Sequence, residues 1–270
     1  MLAQTVAYLS STSPKIRRFI WRHAYQALNR QFVNGDWYFL NYGYESLDSS
    51  SSSLILEECD EPDRYFIQLY HHVAMSAGLE GKEVLEVGSG RGGGSSYMAR
   101  YLTPRTLTGV DRSERAVNFC NKNHRFSNLT FRVGDAEALP FESERFDVVL
   151  NVESSHCYGS MERFIREVRR VLRPGGIFVW ADFRDRLRLA EFRQAFEKAD
   201  LPPFKEEEIT PNVLAALDRM NERKMRAIQE HVPRPFVPSM LEFAGVRGST
   251  IYRSFQEKEK VYLHYACRKT

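Results

Sequence analysis

The chain has 270 residues, of which 43% are hydrophobic and 27% charged, a globular composition that excludes a disordered, collagen-like or small disulfide-framed protein. Lys and Arg number 38 against 35 Asp and Glu, and a net charge of +3 leaves no electrostatic footprint for nucleic acid. No apolar run approaches the length of a membrane span, and Cys59, Cys120, Cys157 and Cys267 form no CxxC pair. The opening MLAQTVAYLSSTSPKIRR carries its charges after its weakly apolar stretch, the reverse of a secretory signal, so a cytoplasmic protein with reduced thiols and no structural zinc is expected.

From the N-terminus, residues 15–31 carry Ile16, Phe19, Ile20, Ala24, Ala27 and Leu28 at helical spacing among Lys15, Arg17, Arg18, Arg22 and Arg30. This basic amphipathic helix reads as a solvated cover for a pocket, with peripheral membrane contact as the other reading. Residues 32–44 (FVNGDWYFLNYGY) hold six aromatics, which read either as an anchor packed on the core or as a lid. Five serines from Ser49 to Ser53 form a surface loop, so residues 1–58 are an N-terminal segment and residues 59–270 the main domain. His71 and His72 fall on a predicted helix with Tyr65, Phe66, Leu69 and Tyr70; adjacent positions do not share a face, which makes them a poor metal pair.

From residue 81 onward, strands and helices alternate. EVLEV (83–87), TLTGVD (106–111), NLTFRVGD (128–135), FDVVLNV (146–152) and IFVWAD (177–182) read as strands. Helices fit about 94–102, 113–125 and 160–172, the last stopped by Arg173-Pro174-Gly175-Gly176. That alternation predicts a mostly parallel sheet with helices on both faces. GVRGSTIYRSF (245–255) and KVYLHYACRK (260–269) read as a closing antiparallel hairpin. A helical insertion over about 184–243 then overhangs the sheet edge where ligands bind in open α/β folds. Its stretch 211–231 places Val213, Leu214, Leu217, Met220 and Ile228 on an apolar face, either core or the wall of an apolar pocket.

The strongest chemical signal is Glu86-Val87-Gly88-Ser89-Gly90-Arg91-Gly92-Gly93-Gly94, between a strand and a helix. Glycines allow a tight turn and close backbone approach to a ligand, and the helix start offers free N–H groups. Gly88, Gly90 and Gly93 also fit GxGxxG, so a nicotinamide cofactor has to be weighed. Three carboxylates favour a different ligand. Glu86 precedes the first glycine and suits a cationic or amine-bearing group, Asp111 ends the second strand and suits a ribose diol, and Gly134-Asp135-Ala136-Glu137 could read an adenine edge.

EVGSGRGGG, GVD, GDAEALPF, FDVVLNVESSHCY and VLRPGG together resemble the class I S-adenosylmethionine-dependent methyltransferases, over about residues 60–183. DEPDR (60–64), LYHH (69–72), NVESSHCY (151–158) and FAGVRG (243–248) more narrowly resemble the phthiotriol and phenolphthiotriol dimycocerosate methyltransferases of mycobacteria, which O-methylate a lipid-borne hydroxyl. The resemblance implies a Rossmann-like seven-stranded sheet, S-adenosylmethionine as methyl donor, S-adenosylhomocysteine as product and no required metal. It implies that Gly88, Gly90 and Gly92 wrap the methionine and ribose and that Asp111, beside Arg112, binds the ribose hydroxyls. Asp135 and the Ala136 N–H would meet the adenine, and Asn151 would lie under the methionine moiety. It also favours a lid contributed by Tyr42 and Tyr44, with Tyr42 against the cofactor.

Methyl transfer from a sulfonium is an in-line displacement, and an alcohol is a poor nucleophile until its proton is being removed. His156, in the loop leaving strand four, is the candidate base, and Asp182, ending strand five, the candidate orienting carboxylate. Glu153 in the same loop is a second candidate for cofactor, base or substrate, and His72 is a candidate to line the cleft. The acceptor atom is not dictated by the fold, so N- or C-methylation, or a cofactor-retaining cyclase that transfers no methyl, are the alternatives.

Overall fold

The computed structural model describes residues 37–48 and 53–270. The expected basic helix at 15–31 and most of the serine run lie outside the described residues.

The five predicted parallel strands form as Glu83–Val87 (β1), Thr106–Asp111 (β2), Leu129–Val133 (β3), Phe146–Val152 (β4) and Leu172–Asp185 (β5). Every residue of β1 is buried, as expected of a strand covered on both faces. Arg64–Met75 (α1), Gly93–Tyr101 (α2), Glu114–Asn123 (α3), Met161–Val171 (α4) and Leu189–Lys198 (α5) supply the covering helices. Two of them begin on serine caps: Ser113 accepts from the Ala116 N–H, and Ser160 from the Arg163 N–H, both at 3.3 Å.

The closing strands are Pro203–Glu208 (β6) and Lys260–Arg268 (β7), and the sheet order is β3-β2-β1-β4-β5-β7-β6. β7 runs antiparallel to both β5 and β6, so a seven-stranded, mostly parallel sheet with an antiparallel ending is present as expected. The position of the sixth strand is a correction. Residues 245–255 are not a strand: Thr250–Gln256 (α8) is a helix, capped by Ser249 and burying Tyr252 and Phe255 three positions apart. The expected hairpin is therefore absent, and the helical insertion moves from 184–243 to the stretch between β6 and β7. That stretch carries Thr210–His231 (α6), Val237–Ala244 (α7) and α8. β6 escapes a hydrophobicity reading because it is an edge strand, opened by proline and carrying Glu206, Glu207 and Glu208.

Two apolar cores lie on the two faces of the sheet. One packs Ile67 and Val73 of α1, Tyr97 and Met98 of α2 and Val213 and Leu217 of α6 against Val84, Val148 and Val179. The other packs Phe164 and Val168 of α4 and Phe192 and Phe196 of α5 against Leu85, Phe178 and Trp180. Residues 37–44 run without regular secondary structure, and their Tyr38 carbonyl accepts from the Gly93 N–H at 3.2 Å.

Candidate active site

β1 delivers the chain into the glycine turn at the C-terminal edge of the sheet. Gly88 and Gly90 have φ of 79° and 54°, in the left-handed region. A Cβ on Gly88 would stand 2.2 Å from the Ser154 Oγ, whereas one on Gly90 would meet only Leu40, at 3.7 Å. Gly90 therefore faces open space, a cavity of about 610 Å³. Gly88, Gly90, Asp111, Arg112, Asp135, Ala136 and Glu153 all lie on its wall, brought together as the sequence suggests. Asp111 is held by main-chain donors, its carboxylate accepting from Gly90 N–H at 2.9 Å and Ser113 N–H at 2.8 Å. Burial pushes its pKa upward, against the pull of those amides.

Other predicted residues support this wall without forming it. Glu86 is fully buried, its carboxyl taken by the Tyr70 hydroxyl at 2.8 Å and by Ser95, and it does not line the cavity. Burial pushes its pKa up to about 7. Gly92 caps α2 in the left-handed conformation and packs against His124. Asn151 is buried behind the loop, where its Nδ2 donates to the Val87 carbonyl at 2.8 Å and to Ser154 at 2.7 Å. Tyr158, which the sequence reading missed, stands on the wall with its hydroxyl 2.9 Å from the Ser154 Oγ.

Tyr42 lines a second, smaller cavity of about 100 Å³, together with Phe39, Phe66, Met220, Ile228 and Phe243. Of the apolar face of α6, Met220 and Ile228 wall this pocket, while Val213 and Leu217 pack in the core. Residues 38–41 contribute to both cavities and divide them. Tyr44 and His72 reach neither: their rings stack on each other at 4.3 Å, and the expected lid and cleft contacts are corrected accordingly. Tyr42 is tied to the larger cavity through its N–H, which donates to the Glu153 carboxylate at 2.8 Å. Glu153 has φ of 46°, a strained value for a residue with a side chain, and also accepts from the Tyr262 hydroxyl at 2.8 Å. Burial pushes its pKa up to about 8. Lys224, also missed, stands in the smaller cavity, where burial lowers its pKa to about 8.

His156 and Asp182 meet as expected, with Nδ1 2.9 Å from Oδ1. The pairing follows from register: β4 and β5 are parallel neighbours with Val152 beside Ala181, so the residues leaving both strands converge. Asp182 is fully buried and accepts further from Ser155 Oγ at 2.8 Å, His156 N–H at 2.9 Å and Phe183 N–H at 2.8 Å. Arg184 lies 3.2 Å away. Burial would raise the Asp182 pKa, but His156 and Arg184 outweigh it and hold the carboxyl well below the usual range. For His156, burial disfavours the charged ring; the Cys157 sulfur and the Asp182 carboxylate outweigh it and hold the pKa well above the ordinary histidine value. The ring stacks on Phe183 at 4.5 Å, beside Cys157, which stands on the wall of the larger cavity; His156 and Asp182 themselves line neither cavity.

Residues 79–236 match the family model for a methyltransferase domain. The chain belongs to the S-adenosylmethionine-dependent methyltransferases. This methyltransferase is 39% identical over 264 residues to the phthiotriol/phenolphthiotriol dimycocerosates methyltransferase of Mycobacterium tuberculosis, spanning 98% of this chain and 96% of that one. It is 41% identical over 243 residues to the fatty-acid O-methyltransferase of Mycolicibacterium smegmatis, spanning 90% and 86%. Its fold is that of the geranyl diphosphate C-methyltransferase of Streptomyces coelicolor, solved with Mg²⁺, geranyl diphosphate and S-adenosylhomocysteine, with a TM-score of 0.66 at 19% identity, covering 91% and 98%. No helix among the described residues is long and apolar enough to cross a membrane.

Proposed function

We propose that this methyltransferase acts on a hydroxyl of an apolar, lipid-like acceptor, with His156 as general base and Asp182 as its positioning residue. The observation that carries the proposal is the His156–Asp182 pair, 2.9 Å apart, its carboxylate fully buried and anchored by two main-chain N–H groups. S-adenosylmethionine supplies an electrophilic methyl group when bound. The larger cavity suits it: Gly90 leaves room at the turn, and Asp111 and Asp135 stand on the wall. Asp111 would take the ribose hydroxyls, Asp135 and the Ala136 N–H the adenine, and Arg112 would flank them.

With Asp182 accepting from Nδ1–H, the tautomer would be fixed and Nε2, which faces the Cys157 sulfur, would be the atom that removes the acceptor's proton. Because the His156 pKa is raised, its basic form grows as pH rises, and turnover follows. The smaller cavity, lined by Phe39, Phe66, Met220 and Phe243, would grip part of an apolar acceptor and exclude water. Both curated relatives carry lipid names, which supports an acceptor of that class. The test is His156→Ala. Turnover should fall about 10²–10⁴-fold, the range for a lost general base, with cofactor affinity retained. Equal loss of turnover and cofactor binding would remove the catalytic role.

A further inference from the structure

We propose that His72, Glu207 and His264 form a binding site for a divalent first-row transition-metal ion of the Zn²⁺ or Fe²⁺ class, separate from the methyl-transfer site. The three residues come from the last turn of α1, the edge strand β6 and its neighbour β7. Glu207 and His264 are directly paired across those strands. None of the three lines either cavity.

The decisive feature is His264. It is 0% exposed, and neither ring nitrogen has a hydrogen-bond partner. A buried imidazole left in this way is costly, and native proteins satisfy nearly all such groups. What it faces is a pair of metal-type ligands. The His72 Nε2 lies 3.1 Å from the Glu207 Oε2, and the His264 Nδ1 lies 3.9 Å from that same oxygen. One ligand atom from each residue falls within 4.8 Å of the other two. Ligands at about 2.0–2.2 Å from a tetrahedral zinc stand roughly 3.3–3.6 Å from one another, so the set closes when His264 moves in and the His72–Glu207 pair opens slightly.

The surroundings fit a metal centre. Tyr44 stacks on the His72 ring at 4.3 Å and fixes its plane. Lys205 holds the Glu207 carboxylate at 2.9 Å, in the place of an outer partner, and at 40% exposure it is able to turn off the shared oxygen. Glu207 is 35% exposed, which gives an ion a way in and leaves a coordination position for water. Two imidazoles and one carboxylate select Zn²⁺ or Fe²⁺ over Mg²⁺, which prefers oxygen ligands and bound water. The ion would pin α1 to the edge strands, and its binding energy would add to folding stability.

The full chain, stripped with a chelator and titrated with Co²⁺, tests this. One equivalent should bind with d–d absorption of a four- or five-coordinate ion, and Zn²⁺ should displace it. Glu207→Gln, on the solvent-facing edge and able to keep the fold, should weaken Co²⁺ binding by more than about 100-fold, the upper end of what losing an outer partner alone costs. His72→Gln should do the same, and Zn²⁺ should raise the melting temperature of the parent only. Absence of binding at one equivalent would mean that water fills the cluster and would overturn the proposal. Equal binding by the parent and Glu207→Gln would place the ion elsewhere and overturn it too.

Discussion

Replacing Asp182 by Asn keeps the shape of the buried pair and removes its charge. The cost follows from the contacts. Oδ1 accepts from the Phe183 N–H and Oδ2 from the His156 N–H, at 2.8 and 2.9 Å. An amide has one acceptor oxygen, so in either orientation its NH₂ confronts a main-chain N–H. One unsatisfied buried donor costs about 1–3 kcal/mol. The charge that balanced His156 and Arg184 is also lost, and breaking such a buried pair costs about 3–5 kcal/mol in all. The pH dependence has a definite sign. The lowered Asp182 pKa contributes stability above the unfolded Asp value, and the raised His156 pKa contributes it below the unfolded His value. Both are fully present between about pH 4 and pH 6.5. Urea unfolding at about pH 5.5 should show the full loss, and the loss should shrink as pH rises through the His156 value. The turnover that remains should rise at lower pH than in the parent. A loss under about 1 kcal/mol, or one independent of pH, would refute the charged pair.

Glu153→Gln should keep both hydrogen bonds, since the amide oxygen still accepts from Tyr42 and Tyr262. The Glu153 pKa of about 8 lies above its unfolded value, so native stability falls as pH rises from about 4.5 to 8. The variant escapes this and should exceed the parent by up to a few kcal/mol at alkaline pH, and constant relative stability between pH 5 and 9 in urea titrations would contradict the reasoning. Gly94→Ala would place a Cβ 2.0 Å from the Tyr70 ring, which donates to Glu86, and should cost about 2–4 kcal/mol from overpacking and a strained hydrogen bond. An unchanged thermal melt would show that Tyr70 yields freely.

What could be read beforehand was local in the chain or set by parallel register. β1 and β4 announce themselves as short, valine-rich apolar segments, and the glycine turn by its composition. Asp111, Asp135 and the His156–Asp182 pair follow because successive parallel strands end at one edge of the sheet. The antiparallel ending and its strand β7 were legible, but its partner β6 and the long-range pairings were not. β6 lacks a hydrophobic alternation, and α8 hides its helical face behind Gly248 and β-prone residues. Tyr262 reaches Glu153 only because β7 folds back along β5, and Glu207 meets His264 only through the register of β6 on β7. The burial of Glu86 was not legible for a related reason: its partner Tyr70 arrives from α1, which strand-end reasoning does not position.

The central claim is methyl transfer to oxygen. The direct measurement is incubation of the full chain with methyl-¹³C S-adenosylmethionine and long-chain hydroxylated lipids, read by mass spectrometry and carbon NMR. The account predicts a labelled product with a methyl resonance at the O-methyl position, formed in step with S-adenosylhomocysteine. Label at a nitrogen or carbon position, or a transformed acceptor with the cofactor unconsumed, would contradict it.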